Sequence, residues 1–157
     1  MTDPELRDWR ASSRGYRRSE ITAPIGHGEG VWTRAAEGVL RWGVKTASGF
    51  TVDPPRAVSP GDRVMVTVRL LAITIREPVE VVSVVEESDR VGFAYRTLPG
   101  HPVSGEEAFI VHRDGGEVRL TVRSLTRPAP QQPWRALYPL LRVAQRVARR
   151  RYLRALR

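Results

Sequence analysis

Cysteine is absent from the 157-residue chain, which removes disulfides, thiolate nucleophiles and zinc–thiolate sites together. No run approaches the ~18 apolar residues of a membrane-spanning helix. The opening residues, Met1-Thr2-Asp3-Pro4-Glu5, are polar and charged rather than an apolar leader, so the expected location is cytoplasmic. Lysine is almost missing: Lys45 is the only one, and every other basic side chain is arginine. Acidic residues stop at Glu117. Beyond it stand eleven arginines and no Asp or Glu, so the net charge of +9 resides in the tail. The three histidines, His27, His101 and His112, are scattered, and no H-x-x-x-H or H-E-x-x-H spacing joins them. A metal site is therefore not expected. Gly26-His27-Gly28-Glu29-Gly30 matches neither phosphate-loop pattern and is taken as a flexible connection. No G-x-S-x-G elbow exists, and no cofactor is implied.

An apolar content of 41% and this length suit one globular domain. Residues 1–15 show no hydrophobic period and are expected as a flexible arm ahead of a single domain over 16–157. A first strand is expected over 16–25. Val31, Ala35, Val39 and Trp42 then follow helical spacing to about Lys45, with Gly38 and Gly43 weakening that helix and dividing it. Residues 50–52 form a short strand, ended by Asp53-Pro54-Pro55. Strict alternation marks one long strand over 63–75, Pro78 interrupts, and another strand follows over 79–85. Asp114-Gly115-Gly116 turns into a strand over 117–126, with Val118, Leu120 and Val122 inward and Arg119, Thr121 and Arg123 outward.

Residues 91–109 carry the densest chemistry in the chain. The pattern is strand, turn, strand. Val91, Phe93, Tyr95 and Thr97 share one face, and Ala94, Arg96 and Leu98 the other. Pro99-Gly100 supplies the turn, because proline presets its first central residue and glycine tolerates positive φ at the second. In the second arm, Glu107 shares its face with Phe109 and Val111, while Glu106 shares the opposite face with Ala108 and Ile110. Parity therefore aims Tyr95 and Glu107 inward.

Pro133 opens a final helix to the C-terminus. At about 100° per residue, Leu137, Leu140, Leu141, Ala144, Val147, Ala148, Tyr152 and Ala155 share one face. Arg135, Arg142, Arg146, Arg149, Arg150 and Arg157 lie opposite. Arg151 falls among the apolar residues, either as a snorkelling stem or as a cation at a cavity mouth. Successive strands joined by tight turns imply an antiparallel sheet, and its apolar face needs the stripe of the last helix. The expected architecture is α+β: a curved antiparallel sheet gripping a long C-terminal helix.

That order resembles the helix-grip, START-like superfamily, which includes polyketide cyclases and birch-pollen allergen proteins. The resemblance implies a cavity between sheet and helix for an apolar or amphipathic small molecule. Closer motifs are Gly92-Phe93-Ala94-Tyr95, Thr97-Leu98-Pro99-Gly100-His101-Pro102 and Gly105-Glu106-Glu107-Ala108-Phe109. With Arg34-Ala35-Ala36-Glu37, Arg127-Pro128 and Tyr152-Leu153-Arg154-Ala155-Leu156, they resemble an uncharacterised family of small bacterial and plant proteins, domain of unknown function nineteen-ninety. The likeness spans about 16–157. Arg96 stands where it implies a small residue.

Candidate ligand-binding residues are Tyr95, Thr97, His101, Glu106, Glu107 and Arg151. His101, fixed between Gly100 and Pro102, has the ordinary pKa of an acid–base group. Of Glu106 and Glu107, one is expected in solvent and the other paired, with Arg96 or Arg123 as partner, unless it serves a ligand. Three functions follow. The first is binding of an apolar or amphipathic small molecule. The second is a cofactor-free cyclase, isomerase or hydrolase using Tyr95, His101 and Glu106 or Glu107. The third is contact of the Arg-rich helix with nucleic acid or an anionic membrane surface.

Overall fold

The computed structural model describes residues 1–10, 15–70 and 73–156. Its element order is β1 (Arg17–His27), α1 (Glu29–Leu40), α2 (Gly43–Thr46), β2 (Phe50–Asp53), β3 (Arg63–Leu70), β4 (Ile73–Glu86), β5 (Arg90–Thr97), β6 (Val103–Asp114), β7 (Glu117–Pro128) and α3 (Trp134–Tyr152). The strands form one seven-stranded antiparallel sheet in the order β1-β7-β6-β5-β4-β3-β2. The first two strands thus occupy opposite edges, and α1 and α2 carry the chain across between them. The sheet curves around α3, giving the α+β grip expected from the sequence.

Period-2 alternation sets the two faces. Val66, Val81, Phe93, Phe109, Leu120 and Val122 meet α1, α2 and the end of α3 in the main core. Ala94, Ala108 and Ile110 form a smaller cluster on the outer face, with Val82 beside it. Val82 is the extra residue where β4 slips register against β5, a bulge that bends the strand.

The expected division of the first helix occurs where glycine spacing places it. Trp42 takes a left-handed conformation (φ 62°), and the chain re-enters helix at Gly43. A Cβ at Gly43 would lie 2.6 Å from the Gly38 carbonyl oxygen, so only glycine lets the two helices approach this closely.

The expected long strand over 63–75 is instead two strands. β3 ends at Leu70 and β4 returns from Ile73, with Leu70 opposite Ile73; residues 71 and 72 of that expectation lie outside the described residues. Alternation continues on both arms of a hairpin, so it does not reveal the reversal. Nor does Pro78 interrupt β4. Its carbonyl accepts from the Leu98 amide, and a strand residue presents its N and C=O to the same side. The missing N–H therefore faces the end of β5 and not the β3 ladder.

Residues 1–9, expected as part of a loose arm, lie against the outer face. Thr2 and Trp9 are buried there. Arg123 faces outward as expected but is covered: its guanidinium donates to the Asp3 carbonyl (2.7 Å) and to Glu20 (2.7 Å). Arg90 donates to the Pro4 carbonyl at 2.6 Å. Free backbone carbonyls of an irregular segment are what two outward arginines can hold, and hydropathy periodicity does not register that.

The terminal helix departs further from expectation. Only Tyr152 of α3 is buried. Its C-terminal end is anchored, with Arg149 donating to Ser19 (2.9 Å) and to Ser124, and with Ala148, Leu153, Ala155 and Leu156 against the core. Leu137, Leu140 and Val147, expected to face the sheet, remain exposed, because the side of α3 turned to the core and cavity carries Leu141, Ala148 and Tyr152.

Gly105 tests the close packing beside that cavity. It has φ +152°, and a Cβ there would lie 1.8 Å from the Leu125 carbonyl oxygen. Gly105→Ala is expected to cost about 3 kcal/mol, while Gly116→Ala, which meets open space, stays within about 0.5 kcal/mol; urea unfolding of both variants checks this.

Candidate functional site

A cavity of about 310 Å³ lies between the inner face of the sheet and α3. Its wall is mostly apolar, with Phe50, Val68, Ile75, Leu141, Ala144, Val147 and Ala148 among the lining residues. Polar chemistry gathers where Lys45, Glu77, Tyr95, Glu107 and Tyr152 meet. Lys45 arrives there because α2 follows directly on the left-handed Trp42. Its Nζ donates to the Tyr152 hydroxyl at 2.8 Å and lies 3.3 Å from Glu107 Oε2 and 3.8 Å from Glu77 Oε2. The same ammonium sits 4.7 Å from the Phe50 ring centre and also contacts the Tyr95, Phe109 and Tyr152 rings. The Tyr95 hydroxyl donates to Glu107 Oε2.

Two carboxylates face one ammonium in a low-dielectric interior. Burial opposes the Lys45 charge, yet Tyr152, Tyr95, Glu107 and Glu77 outweigh it and hold its pKa well above the usual lysine range. Burial raises Glu77; Lys45 pulls it back, and repulsion from Glu107 raises it again. Burial also raises both tyrosines, with Glu107 adding to the effect, so at neutral pH each hydroxyl keeps its proton. The Tyr152 oxygen accepts from Lys45, and among the described residues no acceptor takes the Tyr152 proton. That hydroxyl, on the cavity wall, is a spare donor.

The structure brings some of the sequence-selected residues to this cluster and not others. Tyr95 and Glu107 are in it, on the face that parity assigned. Thr97, His101 and Arg151 line the cavity further out. Thr97 Oγ1 accepts from the Gly105 amide at 2.9 Å, which braces the hairpin. His101 follows the expected turn, its amide donating back to the Leu98 carbonyl, with Gly100 at φ 97°. Its Nδ1 accepts from the Val103 amide at 3.0 Å, so the neutral ring carries its proton on Nε2. Burial, reinforced by the Lys45 charge, pushes the His101 pKa down to about 3. The ring is thus a fixed neutral donor at physiological pH, not the acid–base group its unperturbed chemistry suggested.

Glu106 borders the cavity, but its carboxylate is held on the outer face by the amide and hydroxyl of Thr2, both at 2.7 Å. The expected arginine partners of the Glu pair lie elsewhere: Arg96 binds Glu80 at 2.7 Å and Arg123 binds Glu20. Arg96 accordingly stays outside the cavity.

Lys45, Glu77 and Tyr152 were not selected from the sequence as site residues. Their signals were thin: a lone lysine among arginines, a Glu within an ordinary strand, and a Tyr within an apolar helical stripe.

A curved antiparallel sheet that grips a C-terminal helix is the helix-grip fold. Two solved structures share the arrangement: a hypothetical protein of Helicobacter pylori (TM-score 0.64, 11% identity, 96% of this chain and 95% of that one) and Ara h 8.0201 (TM-score 0.55, 12% identity, 88% and 96%). At these identities the likeness is one of fold. Within the class, the chain belongs to the family described as domain of unknown function DUF1990, which it matches over residues 4–155. A UPF0548 protein of Deinococcus radiodurans is 35% identical over 172 aligned positions, covering 98% of this chain and 80% of the relative.

Two measurements test the electrostatics. A depressed histidine pKa stabilises the fold above the unfolded value of 6.5, and that stability is lost as pH falls toward about 3. The His101 contribution should therefore decline below pH 6.5 by up to about 1.4 kcal/mol per pH unit, and His101→Asn should flatten the urea-midpoint profile over that window. Lys45→Met leaves Glu77 and Glu107 without their cation and is expected to cost about 3 kcal/mol. Adding Glu77→Gln removes one of the two stranded carboxylates and should recover part of that loss in the same unfolding measurement.

Proposed function

We propose that the cavity binds an apolar or amphipathic small molecule, its body against the aliphatic wall and a hydrogen-bond acceptor at the Tyr152–Lys45 end. The observation that carries this reading is the unshared Tyr152 proton, backed by a buried ammonium, on a mostly apolar wall. A ketone, ester or carboxyl oxygen placed there would receive a charge-assisted donor. His101 Nε2–H is a second donor nearer the hairpin turn. The volume of about 310 Å³ lies at the lower end of the ~300–1,000 Å³ typical of small-molecule sites, which favours a compact ligand. Binding of this kind is also what the helix-grip resemblance implies.

Cofactor-free acid–base catalysis is a second reading, favoured by one observation. Glu77, its pKa raised by burial, lies 3.8 Å from the same Lys45 Nζ that donates to the Tyr152 hydroxyl. A proton acceptor and a donor lining one cavity suit enolisation beside a carbonyl. Its residues would be Glu77, Lys45 and Tyr152, in place of His101 and Glu106.

Native mass spectrometry of protein purified from its own host should show a bound small molecule. Fluorescence titration with anilinonaphthalene sulfonate, displaced by that molecule, then gives its affinity. Glu107→Gln leaves one ammonium facing one carboxylate, so folding should survive while affinity falls about tenfold. An unchanged affinity with a lowered melting temperature would make Glu107 purely structural, and an empty cavity that also excludes the dye would remove the binding reading.

A further inference from the structure

The exposed side of α3 is unusual for a helix with one buried residue. Leu137, Leu140, Val143 and Val147 are 38%, 67%, 56% and 48% exposed. At about 100° per residue these four adjoin one another on a single flank, between the cavity-facing side that carries Leu141 and Ala148 and the arc that carries Arg135, Arg146 and Arg150. Val147 both lines the cavity and reaches solvent, so the apolar band meets the cavity wall there. Across the mouth, Ile73 is 63% exposed and shares its strand face with Ile75 of the cavity wall. Single exposed aliphatic side chains are ordinary; a contiguous band of them marks an interaction surface.

Charge selects the occupant. Arg135, Arg146 and Arg150 are exposed, and among the described residues none of them is in an ion pair. With no acidic residue after Glu117, nothing on α3 offsets them. A second copy seated on the band would bring two arginine arcs together, which like-charge repulsion disfavours. Nucleic acid would satisfy the arginines but leave the aliphatic band in water. An anionic bilayer satisfies both, with phosphates for the arginines and the acyl boundary for the aliphatic side chains.

We propose that α3 docks in the surface of an anionic lipid bilayer and holds the cavity mouth against it. No described helix is long and apolar enough to cross a membrane, so the contact is interfacial. Docking depends on the outer side of α3 and stands whether or not the cavity takes a ligand.

Cosedimentation of the full chain with phosphatidylcholine vesicles containing phosphatidylglycerol, against phosphatidylcholine alone, tests it. The protein should pellet with the anionic vesicles only and be released by salt. The triple variant Arg135→Gln, Arg146→Gln, Arg150→Gln should weaken partitioning on the order of a hundredfold, at roughly 1 kcal/mol per arginine. Leu140→Ser with Val143→Ser should weaken it about tenfold or more without lowering the melting temperature, since both side chains are already in water. Glu107→Gln should pellet like the wild type, which separates this result from failure of the cavity reading. Absence of pelleting, pelleting of the arginine and serine variants equal to the wild type, tighter binding to duplex DNA than to the anionic vesicles, or a dimer dissolved by Leu140→Ser would each overturn the proposal.

Discussion

A lysine ammonium carried into an apolar interior is unstable unless opposite charge and hydrogen-bond acceptors meet it there. Lys45 is met from three directions: by Glu107 on β6, by Glu77 on β4 and by Tyr152 at the end of α3. The requirement ties α2, two strands of the sheet and the terminal helix into one arrangement, because moving any of them strands a charge. It also explains how a polar cluster persists beside an aliphatic wall. Aromatic faces surround the ammonium where carboxylates do not, so its remaining exposure is to ring π density rather than to bare hydrocarbon.

The β5–β6 hairpin gives the cluster its rigid side. It lies at the middle of the sheet, where both strands are paired on both edges. Tyr95 stands opposite Glu107 in the register, so their hydrogen bond is a cross-strand pair and needs no loop to place it. The turn then returns the chain past His101, whose Nδ1 is occupied by the Val103 amide, and past Gly105, which lets β6 close on β7. Each of these contacts removes freedom from the sheet side of the cavity wall.

The two faces of the sheet are completed by different means. Helices and the aromatic cluster cover the inner face. On the outer face, small residues such as Ala94 and Ala108 leave room for an irregular segment, and Arg90 and Arg123 hold its carbonyls. Glu106 joins that outer system through Thr2. The two adjacent carboxylates of the hairpin thus serve opposite faces, one as an N-terminal clamp and one as the counter-ion of Lys45.

Much of the fold follows from local stereochemistry and was legible along the chain. Alternation placed Tyr95 and Glu107 on one face and Glu106 on the other, because successive strand residues have no other option. Pro99-Gly100 marked the turn and Gly38 with Gly43 the helix break, because proline fixes its φ and glycine, without a Cβ, takes geometries and close approaches that other residues avoid. Helical spacing likewise showed which residues of α3 share a side. Which side meets the sheet was a tertiary decision: the anchor at Arg149 and Tyr152 sets the helix orientation and leaves Leu140 in solvent. The partners of Lys45 were also decided there, since positions 45, 77, 107 and 152 become neighbours only once the sheet has curved. Burial then converted His101 from a titrating group into a neutral donor. Periodicity reports what each residue can face; the charge that each must answer depends on distances that only the folded chain creates.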